Sequence, residues 1–473
     1  AMLLLIRLDR TVVLVGALAL VLAATPAGAQ GFVQCPGDKD GDAIPDPPAS
    51  NLNPEVKCTH LSGGDGFAMT ADGEPTYIFS FADLTGQVSA PTGPDFDPFA
   101  QGAALRRGML AAEWPAPTVE LDEGDEWYLT LTNVGMMIRP DLFDPHTVHF
   151  HGHPNMAPVF DGLPESGLSI NMGASLSYYY KIVEPGTYMY HCHVEATEHM
   201  QMGMLGNLYV NPAQNGIPYE FPPLSGNTYT QFVYNDGDGS TGYDVDYPIQ
   251  LGSFDKEFHD ASWNVQPLPF ADMKDEYFMI NGRGYPDTVN VTDAYCSVGG
   301  SISCAGESSP NFCKNFKIAL PPPLGNISLD LGECVASLAP PEADGERLNG
   351  GKPTQRIDSR IVATQGERVL LRISNLNVTT FNTLTSPWLP MQVVGRDAKL
   401  LRSPAGGDIY RTTNSVTLGG GMSMDVILDT TDVAPGTYFL YSNNLYQLNN
   451  QLCDPTDLEC FQYDNPQGGL GGM

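Results

Sequence analysis

The chain of 473 residues is long enough for two or three domains, each with a core of its own. Its apolar fraction of 42% is typical of a globular protein, and 50 Gly with 39 Pro favour a turn-rich, β-rich architecture. A formal net charge of −32 argues against nucleic acid or an anionic membrane as a partner, and it concentrates cations near the protein.

Residues 1–29 have the pattern of an export signal. Arg7 and Arg10 precede the apolar run 12–24, and the small-x-small segment 27–29 supplies a cleavage site. The run is shorter than the roughly 20 residues that span a bilayer. The pattern therefore predicts a secreted or periplasmic protein without membrane attachment after cleavage, and an uncleaved anchor is the alternative.

Nine cysteines in an exported chain predict disulfides. Proximity favours pairing of Cys35 with Cys58 and of Cys453 with Cys460. Four more cysteines lie between 296 and 334 and allow three pairings, among which the sequence does not choose. The cysteine left over is Cys192, which has a histidine on each side.

The polar segment 30–66 contains a short run of acidic residues at nearly alternating positions, namely Asp38, Asp40, Asp42 and Asp46. Carboxylates spaced in this way around a glycine turn suit calcium, which prefers oxygen ligands. The segment resembles the calcium-binding repeats of thrombospondin type 3 modules. A solvated acidic linker is the alternative interpretation.

Short alternating runs bounded by Gly, Pro and Asp predict β-strands from 67 to 212 and again from 213 to 450. Examples are 126–132 and 176–181. The cysteine- and proline-rich stretch 288–355 reads as an insertion, and 451–473 as a tail. Segments 124–133 and 185–188 have counterparts in 366–375 and 435–438, which predicts that one all-β sandwich occurs twice.

Two segments, HTVHFHGH and YHCHVEATEHMQMGM, contain seven of the nine histidines of the chain. On a strand, residues two apart face the same way, so His191 and His193 share one face while Cys192 points to the other. One strand can therefore serve two metal sites.

A thiolate, two imidazoles and a weak thioether make a blue, type 1 copper site. The four residues of that kind, which we name the type 1 set, are His146, Cys192, His199 and Met204.

A second, all-imidazole group suits copper or zinc. Its members, which we name the histidine cluster, are His149, His151, His191 and His193. His153 either joins this face or only braces the site. His60 and His259 are isolated in sequence and are expected at the surface.

These segments resemble the copper signatures HPxHLHGH and HCHxxxHxxxxM of the multicopper oxidases, which belong to the cupredoxin superfamily. The resemblance implies two cupredoxin-like Greek-key domains, with type 1 copper on the type 1 set in the first. It assigns type 2 copper to His149, and type 3 copper to His151, His191 and His193. It also implies that electrons pass from Cys192 to its neighbours His191 and His193.

The sequence departs from the family pattern at three points. Cys192 and His199 are seven residues apart, two more than in the family, although Met204 keeps its spacing and stays ahead of Met200 and Met202 as axial ligand. The signatures lie in the first sandwich, whereas most three-domain members have type 1 copper in the last. The second sandwich has LPMQVVGR and Ser442-Asn443-Asn444 where ligands would stand, and it should bind no copper.

The resemblance implies a trinuclear centre of eight histidines, of which one chain offers four. We therefore expect a homo-oligomer in which two first domains complete one centre, oxidise a one-electron donor and reduce oxygen to water. One alternative is a copper nitrite reductase-like trimer, for which His259 is the only available second-domain histidine. Another is a non-catalytic electron carrier. The reductant stays open between phenols and cations such as Fe²⁺, Mn²⁺ or Cu⁺, for which Met156, Met200 and Met202 could be soft ligands.

Overall fold

The structure is a computed structural model. It describes residues 34–39, 41–45, 56–70, 75–87, 103–154, 156–284, 361–444 and 447, together with two short strands at 318–319 and 326–327.

The first sandwich is built from eight strands. They are β1 (Val56–Met69), β2 (Pro75–Asp83), β3 (Val119–Asp122), β4 (Glu126–Gly135), β5 (His149–Phe150), β6 (Ser175–Lys181), β7 (Gly186–His191) and β8 (Leu205–Asn211). One sheet has the order β2-β1-β4-β6 and the other the order β3-β8-β7-β5. Because residues alternate between the two faces of each strand, the apolar ones point into the space between the sheets. Aromatic side chains such as Trp127, Tyr178 and Tyr190 pack there.

The first strand corrects the predicted boundary at residue 66. β1 begins at Val56 and pairs in parallel with β4 and antiparallel with β2. The latter part of the segment assigned to an acidic N-terminal region is therefore a central strand, because its backbone completes the ladder between β2 and β4. The other domain boundaries stay predictions.

Four short strands follow, and a second sandwich comes after them. The short strands are β9 (Tyr219–Glu220), β10 (Thr228–Tyr229), β11 (Gln231–Phe232) and β12 (Gly242–Tyr243). The next are β13 (Val245–Phe254), β14 (Tyr277–Ile280), β15 (Ile318–Ala319), β16 (Asn326–Ile327), β17 (Arg368–Asn375) and β18 (Asn382–Thr385). The last are β19 (Met391–Arg396), β20 (Lys399–Leu400), β21 (Arg411–Thr413), β22 (Ser415–Leu418), β23 (Met422–Asp429) and β24 (Tyr441–Ser442).

The second sandwich repeats the start of the first. β13 pairs in parallel with β17, as β1 does with β4, and β17 pairs antiparallel with β23 as β4 does with β6. Its large sheet has the order β14-β13-β17-β23-β19-β20, with β21 beside β19, and it faces a sheet of order β22-β18-β24. The predicted all-β class with two sandwiches is confirmed.

An apolar interface joins the two sandwiches. Trp114 lies against Phe254, with ring centroids 4.3 Å apart, and its indole N–H points to Met279 Sδ at 3.2 Å. The helices are short: α1 (Ala103–Gly108), α2 (Ala196–Met202) and α3 (Lys256–Trp263), with one 3₁₀ turn at Pro158–Phe160. Within the described part of the chain, no helix has the length and apolar character needed to cross a bilayer.

The described cysteines agree with the pairing expected from sequence. Cys35 and Cys58 form a disulfide, and Cys192 is free and buried. The other six cysteines and the predicted signal at 1–29 lie outside the described residues, as does nearly all of the predicted insertion.

Candidate metal centres

Both segments that are predicted to bind copper lie at one edge of the first sandwich. β5 pairs with β7 so that His149 is opposite His191, and β7 pairs with β8 so that His191 is opposite Leu205. Cys192 follows β7 directly, and its backbone N–H donates to the carbonyl of Met204 at 3.1 Å. Residues of both predicted sites therefore lie on neighbouring strands at this edge.

The type 1 set converges on the Cys192 sulfur. Nδ1 of His199 lies 3.2 Å from Sγ and Nδ1 of His146 lies 4.0 Å from it. His146, His199 and Cys192 are all fully buried, and their ligand atoms lie within 4.8 Å of one another. A buried thiol with two imidazole nitrogens turned toward it fits a thiophilic metal such as copper.

The electrostatics of this site favour an ionised thiol. Burial opposes ionisation of Cys192, but His199 and His146 outweigh it and hold the pKa of the thiol well below its usual range. Burial likewise opposes protonation of His199, yet Cys192 and Asp144 raise its pKa to about 10. Cys192 and His199 thus favour each other's charged form, and a cation bound there would replace the proton of the imidazole.

Gly63, on β1, indicates which methionine joins this set. A Cβ at Gly63 would meet His146 Cδ2 at 2.9 Å and Met204 Cε at 3.4 Å, so both side chains line the same spot. Met204 is fully buried. Met200 instead packs in the interface between the sandwiches, and Met204 therefore remains the axial candidate.

The histidine cluster also comes together. Nε2 of His151 lies 2.7 Å from Nε2 of His191, and the His149 ring centroid is 5.5 Å from that of His191 and 5.1 Å from that of His193. Ligand atoms of His149, His151 and His191 lie within 4.8 Å of one another, and His193 adjoins this trio.

Backbone carbonyls orient three of these rings. Nδ1 of His149 lies 2.6 Å from the oxygen of Asp161, Nδ1 of His191 2.7 Å from that of Cys192, and Nδ1 of His151 3.3 Å from that of Gly421. A carbonyl only accepts hydrogen bonds, so each Nδ1 donates, which directs the Nε2 atoms of His151 and His191 toward each other and toward a shared metal, as in metal-binding histidines. Burial lowers the pKa of His191 to about 3, which keeps that ring neutral.

The second sandwich covers one side of the cluster. A cavity of about 320 Å³ lies between His149 and His151 on one side and Asp397, Gly421 and Ser423 on the other. Gly421 is held against the ring, since a Cβ there would meet His151 Cε1 at 2.7 Å. His149, His151 and His193 are half-buried, which leaves the cluster an open side.

The remaining histidines lie away from the predicted copper ligands. His153 packs on Tyr188, with ring centroids 5.1 Å apart, and on Phe150, so it lies apart from the cluster. The expectation that His60 and His259 lie at the surface is wrong, because both are fully buried. His60 contacts Thr132 Oγ1 at 2.8 Å, and His259 lies on α3 with its nitrogens near the carbonyls of Tyr77 and Gln201.

Sequence reasoning missed a group of acidic residues beside His199. Nε2 of His199 lies 3.8 Å from Asp144 Oδ2, and carboxylate oxygens of Asp144 and Glu195 lie within 4.8 Å of His199 and of each other. Glu195 precedes α2 with a φ of 45°, in the left-handed region. Two acidic residues in the lengthened loop between Cys192 and His199, Glu195 and Glu198, could have indicated this acidic group from the sequence.

Of the predicted calcium ligands, Asp40 and Asp46 lie outside the described residues. The Asp38 carboxylate accepts from the backbone N–H groups of Gly41 and Ala43, and Asp42 accepts from that of Ile44. These bonds close a tight turn, and calcium binding there stays a prediction.

Residues 104–215, which contain both copper-ligand segments, match the family model described as multicopper oxidase. The likeness to the multicopper oxidases is therefore shown for this part of the chain, which is about a quarter of its length.

Curated relatives match over the same part of the chain. It is 34% identical over 102 residues to Multicopper oxidase VdtB of Byssochlamys spectabilis, covering 21% of this chain and 13% of that protein. It is 36% identical over 92 residues to Iron transport multicopper oxidase FET3 of Gibberella zeae, covering 18% of this chain and 13% of that protein. A copper-containing nitrite reductase of Neisseria meningitidis is 28% identical over 134 residues, covering 28% and 32%.

Among solved structures, the chain is similar to Blue Copper Oxidase from Nitrosomonas europaea, with a TM-score of 0.50 and 19% identity, covering 88% of this chain and 84% of that one. At this identity the likeness concerns the fold alone. The chain spans between 13% and 32% of the length of the curated relatives named above.

Proposed function

We propose that this chain is a secreted or periplasmic copper-dependent oxidoreductase of the multicopper oxidase type. The type 1 set would hold one copper and take electrons from a reductant, and the histidine cluster would hold the copper at which oxygen is reduced to water. Bound copper would supply one-electron redox chemistry at the first site and oxygen reduction at the second.

One observation carries this proposal: the two ligand groups are joined through Cys192. His191 and His193, its immediate neighbours, belong to the histidine cluster, whereas the Cys192 sulfur faces His146 and His199. A few covalent bonds therefore connect the two groups, which is the arrangement needed to move electrons between them.

The number of histidines supports completion of the second site by another copy. A family-type trinuclear centre needs eight, the cluster supplies four, and the second sandwich has Gln392, Val394 and Arg396 where the first has His149, His151 and His153. The half-buried rings of the cluster leave room for ligands from a neighbour. We propose that two first domains share one centre within a homo-oligomer.

The test is copper stoichiometry with absorption and EPR spectra on the same purified oligomer. Roughly five coppers per two chains, with a type 3 band that disappears on reduction, is the expected result. One copper per chain with only a type 1 spectrum would instead establish an electron carrier and leave the cluster without a role.

The nitrite reductase alternative is disfavoured by His259. That alternative needs a second-domain histidine at a subunit interface, yet His259 is fully buried between the backbone of β2 and that of α2. It cannot reach a neighbouring chain without unfolding α3.

For the reductant, we propose a metal cation rather than a phenol. Asp144 and Glu195 offer carboxylate oxygens beside His199, and oxygen ligands suit Fe²⁺ and Mn²⁺. Nδ1 of His199 would hold the copper, and its Nε2 lies 3.8 Å from Asp144 Oδ2, so the ring connects the carboxylates to the type 1 set.

Steady-state kinetics with two reductants test this choice. Glu195→Gln should lower kcat/KM for Fe²⁺ by roughly tenfold and leave that for a neutral phenol unchanged, because only the cation needs the carboxylate. Asp432→Asn, an equal charge change on an exposed residue of the second sandwich, is the control. Equal loss with both reductants would contradict a cation site.

A further inference from the structure

The second sandwich holds the helix that carries a type 1 ligand. Gln201 lies on α2 between His199 and Met204 and is 1% exposed. Its Nε2 donates to Asp275 Oδ1 at 3.0 Å, and its carbonyl oxygen lies 3.0 Å from His259 Nε2. Both the side chain and the backbone of Gln201 are thus held by residues that follow the first sandwich in the chain, Asp275 and His259.

Asp275 is fixed in turn by residues of its own domain. Its Oδ2 accepts from Ser253 Oγ at 2.5 Å, from Asn377 Nδ2 at 2.9 Å and from Thr379 Oγ1. Together with Gln201, four donors converge on two oxygens, which matches a carboxylate. The position of Asp275 is therefore set by β13 and by the loop that follows β17.

The same turn of α2 receives two further contacts. His259 Nδ1 lies 2.5 Å from the carbonyl of Tyr77, so the ring links β2 to α2. A Cβ on Gly203, which ends the helix, would lie 3.6 Å from Phe254 Cζ of the second sandwich. Gly203 has a φ of 115°, and its N–H donates to His199 O, so this turn also sets the backbone between the two ligands.

We propose that Asp275 is a positioning residue for the type 1 site: through Gln201 it holds α2 so that His199 and Met204 stay directed at Cys192. This inference rests on the proposed function, because it assigns the copper-free second domain the role of a scaffold for copper in the first. Residues that orient metal ligands typically contribute about 10- to 100-fold to metal affinity.

The experiment uses the full-length copper protein with four variants: Asp275→Asn, Gln201→Met, the double variant, and Ser374→Ala. Ser374→Ala is the matched control, since it removes another buried bond between the sandwiches, from Ser374 Oγ to Asn207 Oδ1 at 2.7 Å. The readouts are the type 1 visible and EPR spectra and the copper affinity in competition with a chelator.

Asp275→Asn and Gln201→Met should each change the type 1 EPR hyperfine splitting and lower copper affinity by about 10-fold or more. The double variant should be no worse than either single one, because both remove the same connection. Ser374→Ala should keep the wild-type spectrum and affinity.

Three results would overturn the inference: wild-type spectra and affinity in Asp275→Asn, losses that add in the double variant, or an equal change in Ser374→Ala. Should Asp275→Asn fail to fold, a wild-type spectrum and affinity in Gln201→Met would overturn it as well. A blue wild-type protein with unaffected variants leaves the proposed function standing, whereas a wild-type protein without a type 1 spectrum overturns both.

Discussion

The two sandwiches start from one plan and differ where the ligands would stand. β4 and β17 occupy equivalent places, each parallel to the first strand of its sandwich. In the first sandwich, however, β5 pairs with β7 and brings His149 opposite His191. In the second, β19 pairs with β23, and residues 435–440 form no strand.

The predicted ligands of the first sandwich are thus brought together by a strand pairing as well as by their sequence. The second sandwich lacks both: Gln392 and Val394 replace histidines, and the PGTY segment that becomes β7 in the first sandwich leaves the sheet in the second. What it retains is a buried surface for the first, as in the bond from Thr187 Oγ1 to Asp425 Oδ1 at 2.6 Å. The second sandwich thus packs against the first without offering histidines of its own at these positions.

The largest difference between the two sandwiches is expected when the central ligand and its counterpart are each replaced. Cys192→Ser should abolish the blue colour and the oxidase activity altogether, because a hydroxyl does not replace the thiolate. Ser442→Ala, at the position equivalent to Cys192 when the two PGTY segments are aligned, should change neither. Visible spectra and copper content of the two variants check this, and residual blue colour in Cys192→Ser would contradict the assignment of the type 1 set.

A second pair of variants separates the two copper sites. His149→Ala should lower oxygen reduction by at least about 100-fold while the blue colour remains, since the ring belongs to the cluster and not to the type 1 set. Gln392→Ala, at the equivalent position of β19, should retain wild-type oxygen uptake. Loss of colour in His149→Ala would mean that the two sites are not separate.

Sequence reasoning predicted those parts of the molecule that depend on local pattern. The alternation of residues in β4 and β6, the repeat behind β4 and β17 and the two groups of predicted ligands that come together in space were all predictable from the sequence. So was the Cys35–Cys58 disulfide, because these were the nearest cysteines in the first part of the chain.

Features that depend on contacts between residues distant in the chain could not be predicted from the sequence. His60 looked isolated because its partner Thr132 is 72 residues away, and His259 because it packs on Gln201 and Tyr77 across the domain interface. The N-terminal boundary was misplaced for a similar reason. β1 is rich in glycine and polar residues, and only its ladder with β4 shows that it is central.

Gly63 offers a finer test of the type 1 set. Gly63→Ala should shift the visible and EPR spectra and cost about 3 kcal/mol of stability, the upper end for an overpacked core, because its Cβ meets the His146 ring at 2.9 Å. Gly436→Ala, in the second sandwich, has no neighbour nearer than 3.7 Å and is the control. Chemical unfolding with spectra of both variants checks this, and an unshifted Gly63→Ala spectrum would place His146 outside the site.

The smallest expected difference between the sandwiches is their response to acid. Burial lowers the pKa of His60 to about 4, whereas an unfolded histidine titrates near 6.5, so the unfolded chain binds a proton between these values and the folded chain does not. The contribution of His60 to the free energy of unfolding is complete above pH 6.5 and falls as the pH drops toward 4. At pH 5 it has fallen by about 2 kcal/mol. Its counterpart in the second sandwich is Pro248, which pairs with Arg372 and does not titrate.

Urea unfolding at pH 7 and pH 5 should therefore show a smaller loss of stability on acidification in His60→Gln than in the wild type. An equal loss in both would mean that the His60 ring is already protonated, or hydrated, in the folded protein.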